Sequence, residues 1–478
     1  MLPYKNLLTI DKKSKVPSFR QLASQLIDLI QDGKLLPGTK LPSTRILAGD
    51  LDLHRKTIMA AYEALVNEDW IENLPRKGFI VAPNLPLVKP RSYHNAKKAA
   101  YDSDPGFVYN RSNIGSYFPA NATKDDIVID DGLPDLSLLP TNIILKEFRD
   151  VLDYSILKNL SNNWEFEGNL DFRKSLCDFL NQTRGLDIKV ENLLSTRGAQ
   201  MAIYLAASLI IKPGDKVIVC EPSYFFANML FEKLGAELIP VPVDNEGMNI
   251  EIVEEKLKQH QIKLIYVIPH HHHPTTVTMS VERRNHLLEL IRGYRLAVIE
   301  DDYDYDFQYQ YDPYLPLASG DHEGNIIYIG SLTKVLGAPY RLGYMVASGK
   351  FIKAAAAQKV LIDLKGDVLT EQMVSGLIRC GELSRLIQRA NKLYRQRCDL
   401  LSDLLHRELS DILEVEKPNG GMALWVQLDK NLPLTQIIKN ISNRGIKFNG
   451  SIYTSENNTR YNAFRFGFAS LQDEELIK

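Results

Sequence analysis

The sequence predicts an α/β protein in two parts, a small helical head and a large body with a mainly parallel sheet. Three observations predict it. The chain has 478 residues, too many for one typical core. Its first 82 residues read as short helices closed by a hairpin. Beyond a proline-containing stretch, buried-strand runs alternate with helix-like segments, as in parallel sheets covered by crossover helices. Hydrophobic residues make up 45% and charged residues 24%, which argues against extensive disorder and against a membrane protein.

In the head, the run from Gln21 to Gln31 places Leu22, Leu26, Leu29 and Ile30 on one helical face, and Pro37-Gly38 ends that unit. Ser43 can cap a second helix with its hydroxyl. A third helix is predicted from about His54 to Asn67, with Ile58, Ala61, Tyr62 and Leu65 at i, i+3, i+4, i+7. Two β-prone runs follow, at Trp70-Ile71-Glu72 and at residues 78–81. They are joined by a turn carrying Arg76 and Lys77. From residue 83 to about 117 periodicity fades among prolines, Lys89, Arg91, Lys97 and Lys98, which predicts a flexible basic linker between a head of residues 1–82 and a body of residues 118–478. In the body, residues 216–220, 264–268 and 296–299 read as buried strands and residues 281–291 as a helix.

Several classes are excluded. Met1 to Ile10 lacks a basic start with a long apolar stretch, and the run from Met201 to Ile211 is too short to cross a bilayer, so a cytoplasmic protein with no membrane partner is expected. Cys177, Cys220, Cys380 and Cys398 are scattered without CxxC spacing, which suggests buried free thiols rather than disulfides or zinc. The head carries 12 Lys/Arg against 9 Asp/Glu, a balance of +3 that leaves −5 for the rest. A slightly basic head on an acidic body has the right sign for contact with phosphate.

The turn Asp50-Leu51-Asp52-Leu53 puts the third helix where a recognition helix would enter the major groove, with Arg55, Lys56 and Thr57 at its leading end. Arg45, Arg76 and Lys77 would supply cations for phosphates, although each alone is equally a solvated surface charge. The segments Leu36-Pro37-Gly38, Leu41-Pro42-Ser43-Thr44-Arg45, Arg55-Lys56-Thr57, Ala61-Tyr62-Glu63-Ala64-Leu65 and Lys77-Gly78-Phe79 resemble the GntR-type winged helix-turn-helix. That resemblance implies double-stranded operator DNA as a partner. It also implies Arg45, Arg55, Thr57, Lys77 and Gly78 as contacts, with Ser43 and Lys56 of the same motifs added. His54 stands where that family often has a small capping residue.

In the body, Lys334 ends Ser331-Leu332-Thr333-Lys334 after the strand-like run 325–329, and Arg341 lies seven residues on. Ser331 and Thr333 add hydroxyls, and Gly198-Ala199-Gln200 at a predicted helix start offers backbone N–H groups and the positive end of the dipole. Asp301 and Tyr303 sit two apart after a buried run, so in extended backbone both point the same way. Tyr224 is a candidate stacking ring. An amine for a Schiff base, an anion for a pyridine nitrogen, phosphate donors and a stacked ring are what pyridoxal 5'-phosphate needs.

Other readings stay open for these residues. A lone lysine or arginine is usually a solvated charge, and Asp301, Asp302, Asp304 and Asp306 could be a surface cluster or a cation site. A calcium loop beginning at Asp302 would need glycine and glutamate where Phe307 and Pro313 stand. Neighbours in the run His270 to His273 face opposite sides of an extended chain and cannot all ligate one ion, so no metal is expected.

From Gly132-Leu133-Pro134-Asp135 through Arg465-Phe466-Gly467-Phe468 the body resembles fold-type I aminotransferases, and with its head the whole chain resembles MocR-type regulators. The motifs run in order through residues 195–200, 221–224, 269–276, 300–304, 331–334 and 341–344. The resemblance implies a PLP-dependent transferase-like body with a small C-terminal α+β subdomain, and a head-to-tail homodimer. It implies Lys334 as the Schiff-base lysine, Asp301 and Tyr303 as ring contacts, Arg341 as a phosphate ligand and Arg465 as the arginine for an effector's carboxylate. The chain departs from the family at His270 to His273, where one histidine followed by glutamine and an aromatic is usual. It also ends at Lys478, soon after Arg465, which predicts a short final helix.

The function expected is a PLP-binding transcription regulator of amino-acid or vitamin B6 metabolism. PLP itself, or a small amino compound joined to it, would change how the heads grip DNA. One alternative is a working aminotransferase, since every catalytic group is present. Another is a DNA-binding protein whose body has lost the cofactor.

Overall fold

The computed structural model describes residues 4–12, 14, 16–75, 78–85, 106–109, 123, 126–309, 314–453 and 461–478. The chain divides into two compact units, Met1–Arg111 and Ser112–Lys478. Most of the predicted linker lies outside the described residues.

The smaller unit contains α1 (Tyr4–Leu7), α2 (Ser18–Gln31), α3 (Thr44–Leu51) and α4 (Arg55–Asn67), then β1 (Ile71–Leu74) and β2 (Gly78–Val81). The two apolar stripes are the buried faces of α2 and α4. Helix α2 starts three residues earlier than its stripe suggests, directly after Pro17. A stripe marks the face that is buried, whereas proline, tolerated only at a helix start, sets the first turn. Ser43 caps α3, its side chain accepting from Ile46 N, and Asp52 ends α3 in the left-handed conformation. The two strands pair antiparallel from Ile71↔Val81 to Leu74↔Gly78. Tyr62 of α4 joins these pieces: its hydroxyl donates to Pro42 O at 3.1 Å and its ring meets Phe79 edge-on at 4.9 Å.

In the larger unit the strands are, in chain order, β3 (Ile127–Ile129), β4 (Leu193–Thr196), β5 (Lys216–Glu221), β6 (Glu237–Asp244), β7 (Gly247–Met248), β8 (Ile262–Val267), β9 (Ala297–Asp302), β10 (Ile326–Ser331), β11 (Gly343–Val346), β12 (Leu413–Val415), β13 (Ala423–Leu428), β14 (Ile446–Phe448), β15 (Ile452–Tyr453) and β16 (Ala463–Gly467). Eight of them form the main sheet in the order β4-β11-β10-β9-β8-β5-β6-β7. Strands β6, β5, β8, β9 and β10 run parallel, and β11, β4 and β7 add antiparallel edges. Val217, Ile218, Val219, Leu264, Ile265, Val298 and Ile299 are all buried, because helices cover both faces and strand sequences there need no alternation. Strand β9 extends past its apolar run through Glu300, Asp301 and Asp302, since pairing to β10 continues after hydrophobicity stops.

The 28-residue helix Glu382–Leu409 leads to a second, antiparallel sheet, β12-β13-β16-β15, while β14 pairs in parallel with β3. The last helix, Asp473–Ile477, has five residues. This topology sets the carboxyl ends of β5, β8, β9 and β10 side by side, and in open α/β sheets ligands bind beyond such ends.

Candidate cofactor site and DNA-reading helix

The loops leaving those four strands carry the residues of interest: Tyr224 after β5, His270 to His273 after β8, Asp301 at the end of β9 with Tyr303 beyond it, and Lys334 after β10. Lys334 Nζ donates to Gly132 O at 2.6 Å and lies 5.6 Å from the centre of the Tyr303 ring. Burial pulls its pKa below the usual lysine range, with Asp131 opposing. A lysine less firmly protonated is a better nucleophile toward an aldehyde.

Asp301 is buried, with Oδ2 accepting from the Tyr266 hydroxyl at 2.7 Å. Its Oδ1 has no partner among the described residues. Burial pushes this carboxyl up to about 7 against the Tyr266 hydrogen bond. A cationic ring nitrogen on Oδ1 would reverse that shift by supplying the missing charge.

Arg465, on β16, is fully buried. Its Nη2 donates to the Tyr303 hydroxyl at 2.9 Å, Nη1 to Pro274 O at 3.3 Å and Nε to Asp131 O at 3.4 Å, with Asp131 Oδ1 also 3.4 Å from Nε. Three of its five donors are thus engaged by the protein, which leaves room for a carboxylate on the rest. Burial opposes the charge on Asp131, but His273, Arg465 and Lys334 outweigh it and hold that carboxyl below its usual range.

At the opposite end, Gly198 precedes the helix Ala199–Ile210 with φ +82°. A Cβ there would lie 2.9 Å from Arg341 Nη2, and one on Gly343 would lie 2.6 Å from the Gly198 carbonyl carbon. Two glycines therefore let the guanidinium approach the helix start, a cradle that a side chain would fill. Arg341 is exposed, and its Nη2 donates to Arg197 O at 3.4 Å. Gln200 Nε2 donates to Phe226 O, while Gln200 Oε1 and Thr333 Oγ1 are unpartnered among the described residues. Ser331 Oγ accepts from Thr333 N at 3.2 Å. Tyr224 meets His273 edge-on at 5.1 Å. The orphaned Asp301 Oδ1 and Thr333 Oγ1, the glycine cradle and the buried amine fit a phosphorylated pyridine aldehyde.

The structure overturns one of the alternatives left open for the acidic run, the surface cluster. Asp301, Asp302 and Asp304 are buried rather than forming a surface cluster, because alternate residues of β9 and its exit point into the site and into the opposite core. The four histidines also diverge. His270 Nδ1 lies 3.5 Å from Asp302 Oδ2, His271 Nδ1 meets Asp304 Oδ1 at 2.9 Å, His272 Nδ1 meets Thr275 Oγ1 at 2.8 Å and His273 Nε2 meets Asp131 Oδ2 at 2.8 Å. His270 alone joins two carboxylates, Glu300 and Asp302, with ligand atoms within 4.8 Å of one another. Burial pushes His272 down to about 3, so it is neutral. Asp131 and Tyr266 were not singled out from the sequence, and His273 entered only as a member of the run His270 to His273. Asp131 meets His273 across 142 residues, and no local spacing signals such a pair.

In the head, Arg45, Arg55 and Lys56 are exposed and Thr57 is half-buried. Arg55 Nε donates to Thr44 Oγ1 at 3.3 Å, linking α4 to the start of α3. His54 itself caps α4, its Nδ1 accepting from Lys56 N at 3.2 Å, so a ring nitrogen serves where a small polar side chain is usual. Gly78 opens β2 with φ +90° and is exposed. Arg76 and Lys77 lie outside the described residues.

Residues 136–477 match the family described as aminotransferase class I and II. The chain belongs to that family. Residues 18–81 match bacterial regulatory proteins of the gntR family. The chain is 26% identical over 446 residues to the probable rhizopine catabolism regulatory protein MocR of Rhizobium meliloti, covering 92% of this chain and 88% of the relative. It is 26% identical over 462 residues to the pyridoxine biosynthesis transcriptional regulator PdxR of Corynebacterium glutamicum, covering 96% and 93%. A kynurenine aminotransferase from Pyrococcus horikoshii, solved in complex with PMP, superposes with a TM-score of 0.68 at 27% identity, covering 74% of this chain and 89% of that one. A GntR-type head joined to a PLP-dependent type of aminotransferase body is the MocR-type architecture.

Proposed function

We propose that this MocR-type protein is a transcription regulator that carries pyridoxal phosphate on Lys334 and reads an amino compound, or the cofactor itself, to change its grip on operator DNA. One observation carries the reading: a buried amine, an orphaned carboxylate oxygen and a buried arginine converge in the body of a chain whose head exposes Arg45, Arg55 and Lys56 at a helix-turn-helix. When bound, the cofactor supplies an aldehyde that captures amines and a ring that withdraws electrons. The chain's own residues do the rest. Asp301, steadied by Tyr266, holds a proton at the ring nitrogen's side of the site. Arg341, Gly198, Ala199, Gln200, Ser331 and Thr333 bind the phosphate. Arg465 takes the effector's carboxylate, and Tyr224 covers the ring. In the head, Ser43, Arg45, Arg55, Lys56, Thr57, Lys77 and Gly78 meet DNA.

The test begins by selecting genomic fragments bound by the loaded protein, then measures affinity for the selected fragment with and without PLP and with a panel of amino acids. The expected result is a change of at least about fivefold with one ligand, lost for amino-acid ligands in Arg465→Ala. No selected fragment refutes DNA reading; equal affinity across the panel refutes sensing. A rival reading, a working aminotransferase, is favoured by the same convergence of Lys334, Asp301 and Arg465. Multiple turnovers with amino donors and keto acids would establish it.

A cytoplasmic, head-to-tail homodimer is part of the proposal. Tyr154, Trp164, Leu361 and Leu364 are 78%, 62%, 83% and 64% exposed, and Lys365 lies 5.5 Å from the Trp164 ring, which brings the segment after Leu364 beside Trp164. Light scattering should give twice the chain mass of 54.2 kDa, and a single-chain mass rejects the dimer.

A further inference from the structure

On the face of β9 opposite Asp301 lies a second cluster that the proposed function does not use. Strands β8 and β9 run parallel, with Val267 beside Glu300. His270 follows that pair on the first chain segment and Asp302 on the second, so both exits deliver side chains to one spot. One ligand atom from each of His270, Glu300 and Asp302 lies within 4.8 Å of the other two. All three residues are buried, His270 to 1% exposure.

The protein leaves these groups poorly satisfied. Neither ring nitrogen of His270 has a hydrogen-bond partner among the described residues, and the nearest approach is Nδ1 to Asp302 Oδ2 at 3.5 Å. Asp302 Oδ2 accepts from the Tyr328 hydroxyl at 3.0 Å, while Oδ1 has no partner among the described residues. Glu300 accepts from Leu317 N at 2.7 Å on one oxygen and from Ala318 N at 2.8 Å on the other. An ionised carboxylate has about four acceptor sites, so lone pairs remain free there. The two neighbouring guanidiniums are committed elsewhere: Arg184 pairs with Asp306 at 2.8 Å, and Arg284 donates to the Leu315 carbonyl. Buried charges are ordinarily paired or bound to metal, and a buried imidazole with both nitrogens unmatched is costly.

We propose that His270, Glu300 and Asp302 hold a divalent transition-metal ion of the zinc type, which staples the loop after β8 to the end of β9. One imidazole with carboxylates suits zinc, whereas calcium needs six to eight oxygens. Ligand atoms on tetrahedral zinc stand roughly 3.4 Å apart, so closing the set takes about 1.4 Å at the widest. Asp302 Oδ1 offers a fourth donor, which leaves no open position and marks the site as structural. Four adjacent histidines cannot converge on one ion, and they do not: His271, His272 and His273 turn to Asp304, Thr275 and Asp131. His270 alone faces the two carboxylates of the neighbouring strand. The site stands whether or not PLP binds at Lys334.

The test uses untagged full-length protein, stripped by a chelator, desalted and titrated with zinc against a competing chelator. The wild type should take up about one zinc per chain and gain about 3 °C in its unfolding midpoint. His270→Gln and Asp302→Asn should each weaken uptake at least about a hundredfold, and His286→Ala, which removes a separate histidine near Glu254, should leave it unchanged. Wild-type affinity in His270→Gln overturns the site, as does a wild type that takes up no zinc. Because a variant could fail to fold, anomalous scattering at the zinc edge from wild-type crystals supplies a second readout. A peak among His270, Glu300 and Asp302 supports the staple; a peak only at the surface or at a cysteine refutes it.

Discussion

Asp301 has one oxygen on the Tyr266 hydroxyl and the other without a partner, and burial lifts its pKa to about 7. In cofactor-free protein the folded state therefore holds this proton to higher pH than the unfolded chain does. The associated stability is full below the ordinary carboxyl pKa and is lost as pH rises through about 7. Asp301→Asn removes the titration while keeping an acceptor for Tyr266. The variant should gain on the wild type between about pH 5 and pH 8, on the order of 2 kcal/mol, read as diverging urea midpoints of the cofactor-free proteins. Glu300, pushed up to about 8 by burial, has the same sign in both proteins and cancels from the difference. A midpoint difference that ignores pH would place the raised proton affinity elsewhere. Lys334, Asp301 and Tyr303 were legible in the sequence because each follows a recognisable strand at short range. The pairing of Asp131 with His273 was not, since the loop after β8 meets the segment before Gly132 across 142 residues.

At the scale of elements, α3 and α4 separate what folds the head from what reads DNA. Ser43 accepts from Ile46 N at the start of α3, so Ser43→Ala should lower local stability by about 1 kcal/mol. Hydrogen exchange of α3 in the full chain would rise accordingly. Arg55 is exposed and among the described residues holds only Thr44 Oγ1 at 3.3 Å, so Arg55→Ala should leave that exchange nearly unchanged while weakening binding to a selected DNA fragment about tenfold. Unaltered DNA affinity in Arg55→Ala would mean that α4 is not the recognition helix. The helices were legible because Leu22, Leu26, Leu29 and Ile30, or Ile58, Ala61, Tyr62 and Leu65, repeat at helical period within one element. The ends of β9 were less so, because Glu300 to Asp302 look polar yet remain paired to β10. The partnership of β14 with β3 joins segments over 300 residues apart, and no local pattern encodes it.

At the scale of the whole molecule, alternating strands and helices made the main sheet legible as a class, while its strand order β4-β11-β10-β9-β8-β5-β6-β7 depends on long-range pairing that periodicity does not carry. The proposed regulator joins two equilibria on one chain, so they are bound by linkage. If an amino-acid effector changes operator affinity by some factor, operator DNA must change effector affinity by the same factor in the same direction. A coupling of about 1–3 kcal/mol corresponds to roughly 5- to 150-fold, well within reach of calorimetry on the PLP-loaded protein with and without the selected fragment. Arg465→Ala should erase both arms for amino-acid effectors, because the guanidinium that Tyr303 and Asp131 hold is the proposed point of discrimination. It should spare cofactor uptake, for which the proposed phosphate contacts are Gly198 and Arg341 at the opposite end of the site. A DNA-induced change in effector affinity that differs from the effector-induced change in DNA affinity would show that the two measurements report different protein states, for instance single chains against dimers. Repeating both at matched protein concentration distinguishes that case: equal factors restore the coupled regulator, and persistently unequal ones exclude a single two-state switch between body and head.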